Sequence, residues 1–320
     1  MSFDADTIVD RRRMRRKLTL WRVFAAILAI VAIVAVVGVT ATPGTNIVEQ
    51  RSGAYIARVK IDGLIRNDED RVEALDRLAN SNVRAVIVHI DSPGGTTAGS
   101  EQLHDSLRQV VQRKPTVIVV DGLAASGGYI AALAADHIIS QETSLVGSIG
   151  VLFQYPNVTD LLKTIGVKME EVKSSPLKAA PNGFEPTSPE ARAAVEALVK
   201  DSYGWFRGMV KDRRHLDDAN LDKVADGRVF TGRQALELKL VDQLGNERTA
   251  ITWLAREKNI DAKLPVRDWK LKPRFSDLSI LHMAVSAVLN AVGLGSGSTE
   301  LIGRLNLDGL LALWHPQSAN

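Results

Sequence analysis

The sequence predicts an α/β protein in which a mostly parallel β-sheet is covered by helices. From residue 55 onward, short apolar runs with strand character alternate with helical stretches, an order typical of parallel strands joined by crossover helices. Glycine-rich turns follow the ends of two apolar runs, as they do where a strand leads into a helix. The composition, 45% apolar and 24% charged, indicates a globular chain rather than a disordered one.

The first half of the chain supplies the predicted strands. Apolar residues alternate in residues 55–61, whereas residues 117–120 are apolar throughout and fit a buried strand. The predicted elements, in order, are a strand at 55–61, a helix at 68–80, a strand at 83–90, a helix carrying Leu103, Leu107, Val110 and Val111, a strand at 117–120, a helix at 130–134, and short strands at 137–139 and 146–151.

The second half is predicted to be mainly helical. Ser188 and Pro189 begin a long helix, because serine is a favoured N-cap and proline fits the first turn. Its predicted buried stripe consists of Val195, Val199, Phe206 and Val210. A weakly amphipathic helix is expected over residues 273–294, and a Gly/Ser linker at 293–298 leads to a leucine-rich tail. Packing of that tail on a neighbour, on the membrane surface or in the core stays open.

The amino terminus predicts a membrane anchor. Arginines and a lysine crowd residues 11–17, and no charged side chain occurs from Val23 to Val48. A helix of that length crosses about 30 Å of hydrocarbon, and the basic cluster is expected to stay in the cytoplasm. We therefore expect a retained single-pass anchor in the cytoplasmic membrane and an extracytoplasmic main domain. A secretory signal cleaved near residues 39–41 is the alternative, and it exports the same domain.

The composition also excludes several kinds of site. The chain has no cysteine, so disulfides, thiol catalysis and thiolate metal sites are ruled out. The histidines lack metal-ligand spacing, and we predict no metal and no cofactor. His89 and His137 lie in strand-like runs and are interpreted as satisfied core or sheet residues. The basic cluster adjoins the apolar run and has no second basic patch beside it, so nucleic-acid binding is not expected.

The segment Ala124–Tyr129 is the most informative in the chain. It places Ser126 between alanines and glycines, at the junction of a buried strand and a helix. There the hydroxyl can face a cleft and the following amides can point at a bound group, which suits a nucleophile with an oxyanion site. The alternative is an N-cap serine on a glycine-rich turn, and the motif alone leaves both open.

A second glycine-rich turn, residues 91–95, follows the strand that ends at Ile90. In a parallel sheet both turns fall at the carboxyl edge, so one of its glycine amides and the amide of Gly127 could together hold an oxyanion. A serine hydroxyl also needs a base. No particular histidine is tied to Ser126, although a Ser-His-Asp triad stays open. Lys178, in small apolar surroundings, is a candidate base if desolvation keeps it neutral, and Lys173 lies nearby.

Several motifs, in order, resemble those of the signal peptide peptidase A family in its short single-domain form. Members of this family are membrane-anchored serine–lysine proteases. The resemblance runs from about residue 53 to residue 255. Its motifs are Ile90–Gly95, Ala124–Tyr129, Val146–Val151, Lys223–Ala235 and Leu240–Gly245.

The resemblance implies a ClpP/crotonase-like fold and a set of site residues. Ser126 matches the nucleophile, Lys178 the general base, and Ser148 a serine that orients the lysine, while Gly95 and Gly127 match the oxyanion turns. The chain departs from a Ser-Gly-x-x-Lys-Asp pattern of short relatives, because the segment ending at Ala179 reads Ser-Ser-Pro-Leu-Lys-Ala. Since tandem relatives carry two such domains, a single-domain chain is expected to form a homo-oligomeric ring in which the lysine can face a neighbour's serine.

These expectations combine into a domain organisation and a function. The segments are a basic cytoplasmic part at 1–22, a transmembrane anchor at 23–42, a linker at 43–52, a protease domain at 53–258 and a helical extension at 259–320. The expected function is a serine endopeptidase that degrades cleaved signal peptides and other short hydrophobic peptides at the membrane lipid surface, with no nucleic-acid partner. The alternatives are a crotonase-like acyl-CoA enzyme and an inactive membrane scaffold of the same fold.

Overall fold

The computed structural model describes residues 53–271 and the backbone of residues 311–313. In chain order the elements are β1 (Ile56–Asp62), α1 (Glu69–Ala79), β2 (Ala85–Ser92), β3 (Gly94–Thr96), α2 (Thr97–Arg113), β4 (Thr116–Ala125), α3 (Gly127–Ala132), β5 (Ile138–Ser140), β6 (Leu145–Gly147), α4 (Thr159–Thr164), α5 (Pro189–Arg214), α6 (Asp218–Val224), β7 (Val229–Thr231), α7 (Gly232–Glu237), β8 (Gln243–Leu244), α8 (Glu247–Lys258), β9 (Val266–Asp268) and β10 (Leu311–Leu313).

The main sheet is mixed rather than purely parallel. Its strands lie in the order β7-β6-β4-β2-β1-β9, with β5 pairing with both β4 and β8. All of these pairings are parallel except that of β6 with β7, which is antiparallel. The prediction of a mostly parallel sheet is therefore confirmed except at this edge, where β7 runs back along β6 before α7 begins.

Helices cover both faces of the sheet, and strand alternation decides which side chains they meet. In β2, Val86 and Val88 face a large core that includes residues of α1, α2 and α3, while Ile87 faces a smaller core. The smaller core contains Ala250 and Leu254 of α8. Because both faces are buried, β2 and β4 consist of nearly continuous apolar runs.

The predicted helix starts are confirmed by their caps. Asp68 accepts a hydrogen bond from the amide of Arg71 at the start of α1, and Ser188 accepts one from Ala191 at the start of α5. The predicted burial of the apolar stripe on α5 is confirmed only in the second half of the helix. Phe206 is buried, but the first two valines of the stripe, at positions 195 and 199, are half-buried and line an open cavity.

The C-terminal region contains two strands that the sequence did not reveal. β9 adds to the main sheet beside β1, and β10 pairs with β3 in a separate two-stranded sheet. The predicted anchor at 23–42 and the predicted helix at 273–294 lie outside the described residues. Within residues 53–271, no helix combines the length and apolar character that a membrane span needs.

Candidate active site

Ser126 lies between β4 and α3 in a backbone conformation that L-residues rarely adopt. Its φ is 54° and its ψ is −116°, and only 1% of the residue is exposed. It occupies the N-cap position of α3, yet its side chain makes no capping hydrogen bond. The N-cap interpretation therefore does not account for this serine. A strained strand-to-helix turn with an uncommitted hydroxyl is the arrangement of a nucleophile elbow.

The strained turn is fixed by its neighbours. The Ser126 amide donates to the carbonyl of Gly147 at 2.7 Å, and its carbonyl accepts from the Tyr129 amide at 2.9 Å. The fully buried Tyr129 hydroxyl donates to the carbonyl of Leu240 at 2.8 Å, which fastens α3 to the turn before β8. Burial raises the pKa of Tyr129, so it stays a hydrogen-bond donor.

The opposite end of α3 is held by arginines that sequence reasoning missed. Arg213 donates to the carbonyls of Leu133 at 2.8 Å and Ala135 at 3.0 Å, and Arg108 donates to that of Ala134 at 2.7 Å. Burial opposes ionisation of Asp136, but its hydrogen bond to Arg213 prevails and lowers its pKa. These charged donors bind carbonyls of the turn that directly follows the helix, whose first residue comes after Ser126.

Ser148 lies directly beside Ser126 across the sheet. β6 is parallel to β4 with Gly147 opposite Ala125, so both serines immediately follow paired strand ends. Ser148 has φ 53° and is 7% exposed, and its amide donates to the carbonyl of Arg228 at 2.8 Å. Within residues 53–271, neither serine hydroxyl has a hydrogen-bond partner. The structure thus brings together the two predicted serines and leaves both hydroxyls available.

Gly95 and Gly127 lie on the two turns that flank this point. A Cβ on Gly95 would be 1.8 Å from the carbonyl oxygen of Ile65, so only glycine fits there. Gly127 is the first residue of α3, so its amide has no partner within the helix. The neighbouring Gly128 packs closely as well, since a Cβ there would lie 2.6 Å from the carbonyl oxygen of Ser92.

Lys178 is exposed, and among the described residues no hydrogen bond joins its side chain to Ser126 or Ser148. It lies in the segment between α4 and α5, where its backbone amide donates to Ser175 at 3.1 Å. In the part of the chain that the structure describes, its ammonium group has no ion pair. Lys173 is different, because its Nζ lies 2.6 Å from carboxylates of both Glu171 and Glu185. Hydrogen bonding to Glu171 and then Glu185 raises the pKa of Lys173, which makes it a poor base.

The histidines at 89 and 137 have partners of their own, as expected. Both ring nitrogens of His89 lie 2.9 Å from carboxylates, those of Asp121 and Glu247. Arg58 also binds Glu247, and this hydrogen bond, more than that of His89, lowers the pKa of Glu247 against the effect of burial. His137 stacks on the Trp253 ring, with centroids 4.3 Å apart. Among the described residues, no histidine bonds Ser126, and no His, Asp and Glu side chains cluster as metal ligands do.

An open cavity begins beside Ser148. Its volume is about 720 Å³, and the residue after the serine, Ile149, lines it. Most other lining side chains are apolar or aromatic. They are Val151, Phe153, Tyr155, Pro181, Val195, Val199, Tyr203 and Ala225, and four charged residues, Arg192, Glu196, Lys200 and Asp226, also line the cavity. The half-buried face of α5 therefore forms one wall of a cavity that suits apolar groups.

Comparison with known proteins decides the family. The peptidase family S49 model matches residues 108–261, and the Clp protease model matches residues 67–144. A candidate protease of Synechocystis is 36% identical over 208 residues, covering 64% of this chain and 75% of that protein. The chain belongs to peptidase family S49. The Clp match agrees with the α/β layers described above and identifies the fold as ClpP-like.

Two further relatives carry more specific names. The chloroplastic serine protease SPPA of Arabidopsis thaliana is 30% identical over 249 residues, which cover 76% of this chain and 36% of that protein. A candidate signal peptide peptidase SppA of Enterococcus faecium is 31% identical over 179 residues, covering 56% of this chain and 52% of that protein. The matched part is thus about half or less of these two relatives. The family membership identifies the chain as a peptidase of the serine type.

Proposed function

We propose that this protein is a membrane-anchored endopeptidase that cleaves signal peptides and other short hydrophobic peptides on the extracytoplasmic side. Ser126 attacks the scissile carbonyl, and Lys178 accepts its proton and returns it to the leaving amine. Ser148 orients the lysine, and the amides of Gly95 and Gly127 stabilise the oxyanion. One observation carries the proposal: a buried serine in strained backbone, at a strand-to-helix turn, whose hydroxyl is not used as a cap.

The base is proposed to act from one copy of the chain on the serine of another. The segment that carries Lys178 exposes many large apolar side chains, which a second copy would remove from water. These are Leu161, Ile165, Val167, Met169, Val172, Leu177 and Phe184. Burial of this segment would also desolvate the lysine, and desolvation favours the neutral amine that a base requires. The unpartnered hydroxyls of Ser126 and Ser148 would then meet the amine at the interface.

The hydrophobic substrate class follows from the cavity beside Ser148. Its apolar walls favour aliphatic or aromatic substrate side chains, which gain about 25 cal/mol per Å² of apolar surface buried. The predicted anchor at 23–42 keeps the site near the membrane, where hydrophobic peptides accumulate. The name of the Enterococcus relative points to signal peptides among these substrates.

The dyad is tested with the full-length protein in detergent and a fluorogenic hydrophobic peptide. Ser126→Ala and Lys178→Ala are expected to lower kcat at least about a thousandfold, because nucleophile and base act as a unit. Lys173→Ala is the matched control: it removes a nearby lysine already paired with Glu171 and Glu185, and it is expected to leave kcat within about twofold. Full turnover by either of the first two variants contradicts the assignment.

Assembly is tested separately by light scattering of the same preparation. Leu177→Glu places a charge on the apolar segment next to Lys178 and is expected to give monomers without turnover. Leu236→Glu alters a leucine that is also exposed, on α7, at 36% against 47% for Leu177, and is expected to change neither property. An active Leu177→Glu monomer would show that the base acts within its own chain.

The extracytoplasmic location is tested by adding a protease to cells from outside. The domain is expected to be protected in intact cells and to be cleaved once the outer layer of the cell envelope has been permeabilised.

A further inference from the structure

β4 carries two extra residues shortly before the candidate nucleophile. In its pairing with β2, Val120 lies opposite Ile90 and Ala124 lies opposite Ser92, so four steps along β4 match two steps along β2. Residues 121–123 therefore form a bulge, which we call the β4 bulge. Bulges bend their strand, redirect the residues that follow, and are frequent next to active sites.

Beyond the β4 bulge, the end of β4 fits closely against β2. Ser126 comes two residues after Ala124, the last residue of β4 that pairs with β2. A Cβ on Gly128 would be 2.6 Å from the carbonyl oxygen of Ser92, so the first turn of α3 touches the end of β2. The geometry of the bulge therefore sets where Ser126 lies relative to β3, which follows β2 and carries Gly95.

The first residue of the bulge, Asp121, is held by both its main chain and its side chain. The Ser144 hydroxyl donates to the Asp121 carbonyl at 2.6 Å. Both carboxylate oxygens of Asp121 lie 2.9 Å from Nδ1 of His89, a buried residue of β2. The other ring nitrogen, Nε2, lies 2.9 Å from the carboxylate of Glu247 at the start of α8.

The His89 ring thus joins the bulge to its neighbouring strand and helix. Because a carboxylate only accepts hydrogen bonds, both ring nitrogens donate, and the ring carries a positive charge between two negative ones. The other bulge residues do not make this connection. Gly122 has no side chain, and Leu123 pairs with Leu145 of β6 on the opposite side of β4.

We propose that the hydrogen bond between His89 and Asp121 fixes the β4 bulge and so positions Ser126 for attack on the scissile carbonyl. Both are positioning residues, because they act through the main chain of β4. Their role in the reaction rests on the function proposed above. A reacting group displaced by 1 Å can lose about a hundredfold in rate, so a partial relaxation of the bulge is expected to lower kcat about tenfold.

Three variants of the full-length protein in detergent test the proposal with the fluorogenic hydrophobic peptide. Asp121→Ala removes the acceptor for Nδ1 and is expected to lower kcat about tenfold while KM stays within about twofold. Asp121→Asn keeps an oxygen that can accept from Nδ1, and is expected to restore kcat to within about threefold of the wild type. Glu247→Ala is the matched control, since it removes the acceptor on the other nitrogen of the same ring and leaves the bulge intact.

The control also separates positioning from a general loss of stability. Glu247→Ala loses hydrogen bonds from both His89 and Arg58, so urea unfolding is expected to show it to be the less stable of the two alanine variants. A loss of kcat confined to Asp121→Ala therefore cannot come from instability. Wild-type kcat in Asp121→Ala, or an equal loss of kcat in Glu247→Ala, overturns the proposal.

Hydrogen exchange provides a readout that does not depend on turnover. The Ser126 amide, which donates to the Gly147 carbonyl, is expected to exchange at least about tenfold faster in Asp121→Ala than in Asp121→Asn or Glu247→Ala. Equal exchange in the three variants overturns the proposal. If exchange responds as expected but not even the wild type hydrolyses peptide, the positioning of the turn is supported and the proposed peptidase function fails instead.

Discussion

Replacement of Gly95 by alanine tests the geometry of the proposed oxyanion turn. The new Cβ would lie 1.8 Å from the Ile65 carbonyl oxygen and 2.6 Å from its carbon. Ordinary contact between such atoms requires about 3.5 Å, so β3 must move by more than about 1 Å. Both hydrogen bonds between Ile65 and the flanking residues, now 2.9 Å long, would be lost or badly distorted.

The expected cost follows from those two bonds. At about 1 kcal/mol each, their loss lowers the free energy of unfolding by about 2 kcal/mol. If the Gly95 amide is the proposed oxyanion donor, a 1 Å displacement of it is expected to lower kcat/KM about a hundredfold. Urea unfolding of the full-length protein and peptide hydrolysis measure the two effects.

The matched control is Gly208→Ala in α5. A Cβ at that position meets no atom within 4 Å, so alanine is expected to stabilise the helix by about 0.5–1 kcal/mol and to leave turnover unchanged. If Gly95→Ala kept both wild-type stability and wild-type kcat/KM, the close approach of β3 to Ile65 and the role of this turn would be refuted.

Two further predictions concern charged groups around the sheet. Arg213→Met removes the donors to the carbonyls of Leu133 and Ala135. It is expected to lower the free energy of unfolding, measured by urea titration, by about 2–3 kcal/mol. Unchanged stability would show that this arginine does not hold α3. Arg58 holds the pKa of Glu247 below its ordinary value of 4.5, so this carboxylate stabilises the fold above that pH, and the contribution disappears as the pH falls through the lowered folded value. The free energy of unfolding of the wild type should therefore exceed that of Glu247→Gln by about 1 kcal/mol at pH 7, and this difference should shrink below pH ~4. A difference that increases as the pH falls would contradict the ion pair.

Apart from β3, where the sequence predicted only a glycine-rich turn, the order of elements up to β6 was predictable from sequence because it depends on local patterns. Buried strands such as β4 are continuous apolar runs, and helix starts such as those at Asp68 and Ser188 have favourable caps. The position of Ser126 at a strand-to-helix turn followed from the same patterns. The left-handed backbone conformation of Ser148 could not be predicted from these patterns, because its φ is set by the hydrogen bond to Arg228 and by the turn at Gly147.

The sequence pattern could not predict which distant segments pair as strands. β7 is three residues long and antiparallel, and β9 and β10 are equally short, so none has a periodicity that identifies its partner. The exposure of Lys178 has a related cause. Apolar neighbours in sequence predicted dry surroundings, but in a single chain those neighbours point outward, so the lysine's environment depends on what covers the segment.

Covalent labelling of the full-length protein with a fluorophosphonate, followed by peptide mapping, tests the central claim most directly. A serine with an activated hydroxyl next to oxyanion donors reacts with such a reagent, whereas a capping or buried structural serine does not. We predict one modified site, Ser126, with labelling abolished in Lys178→Ala and retained in Lys173→Ala. Labelling of another residue, or none in a preparation that hydrolyses peptide, would contradict the assignment of Ser126 as nucleophile.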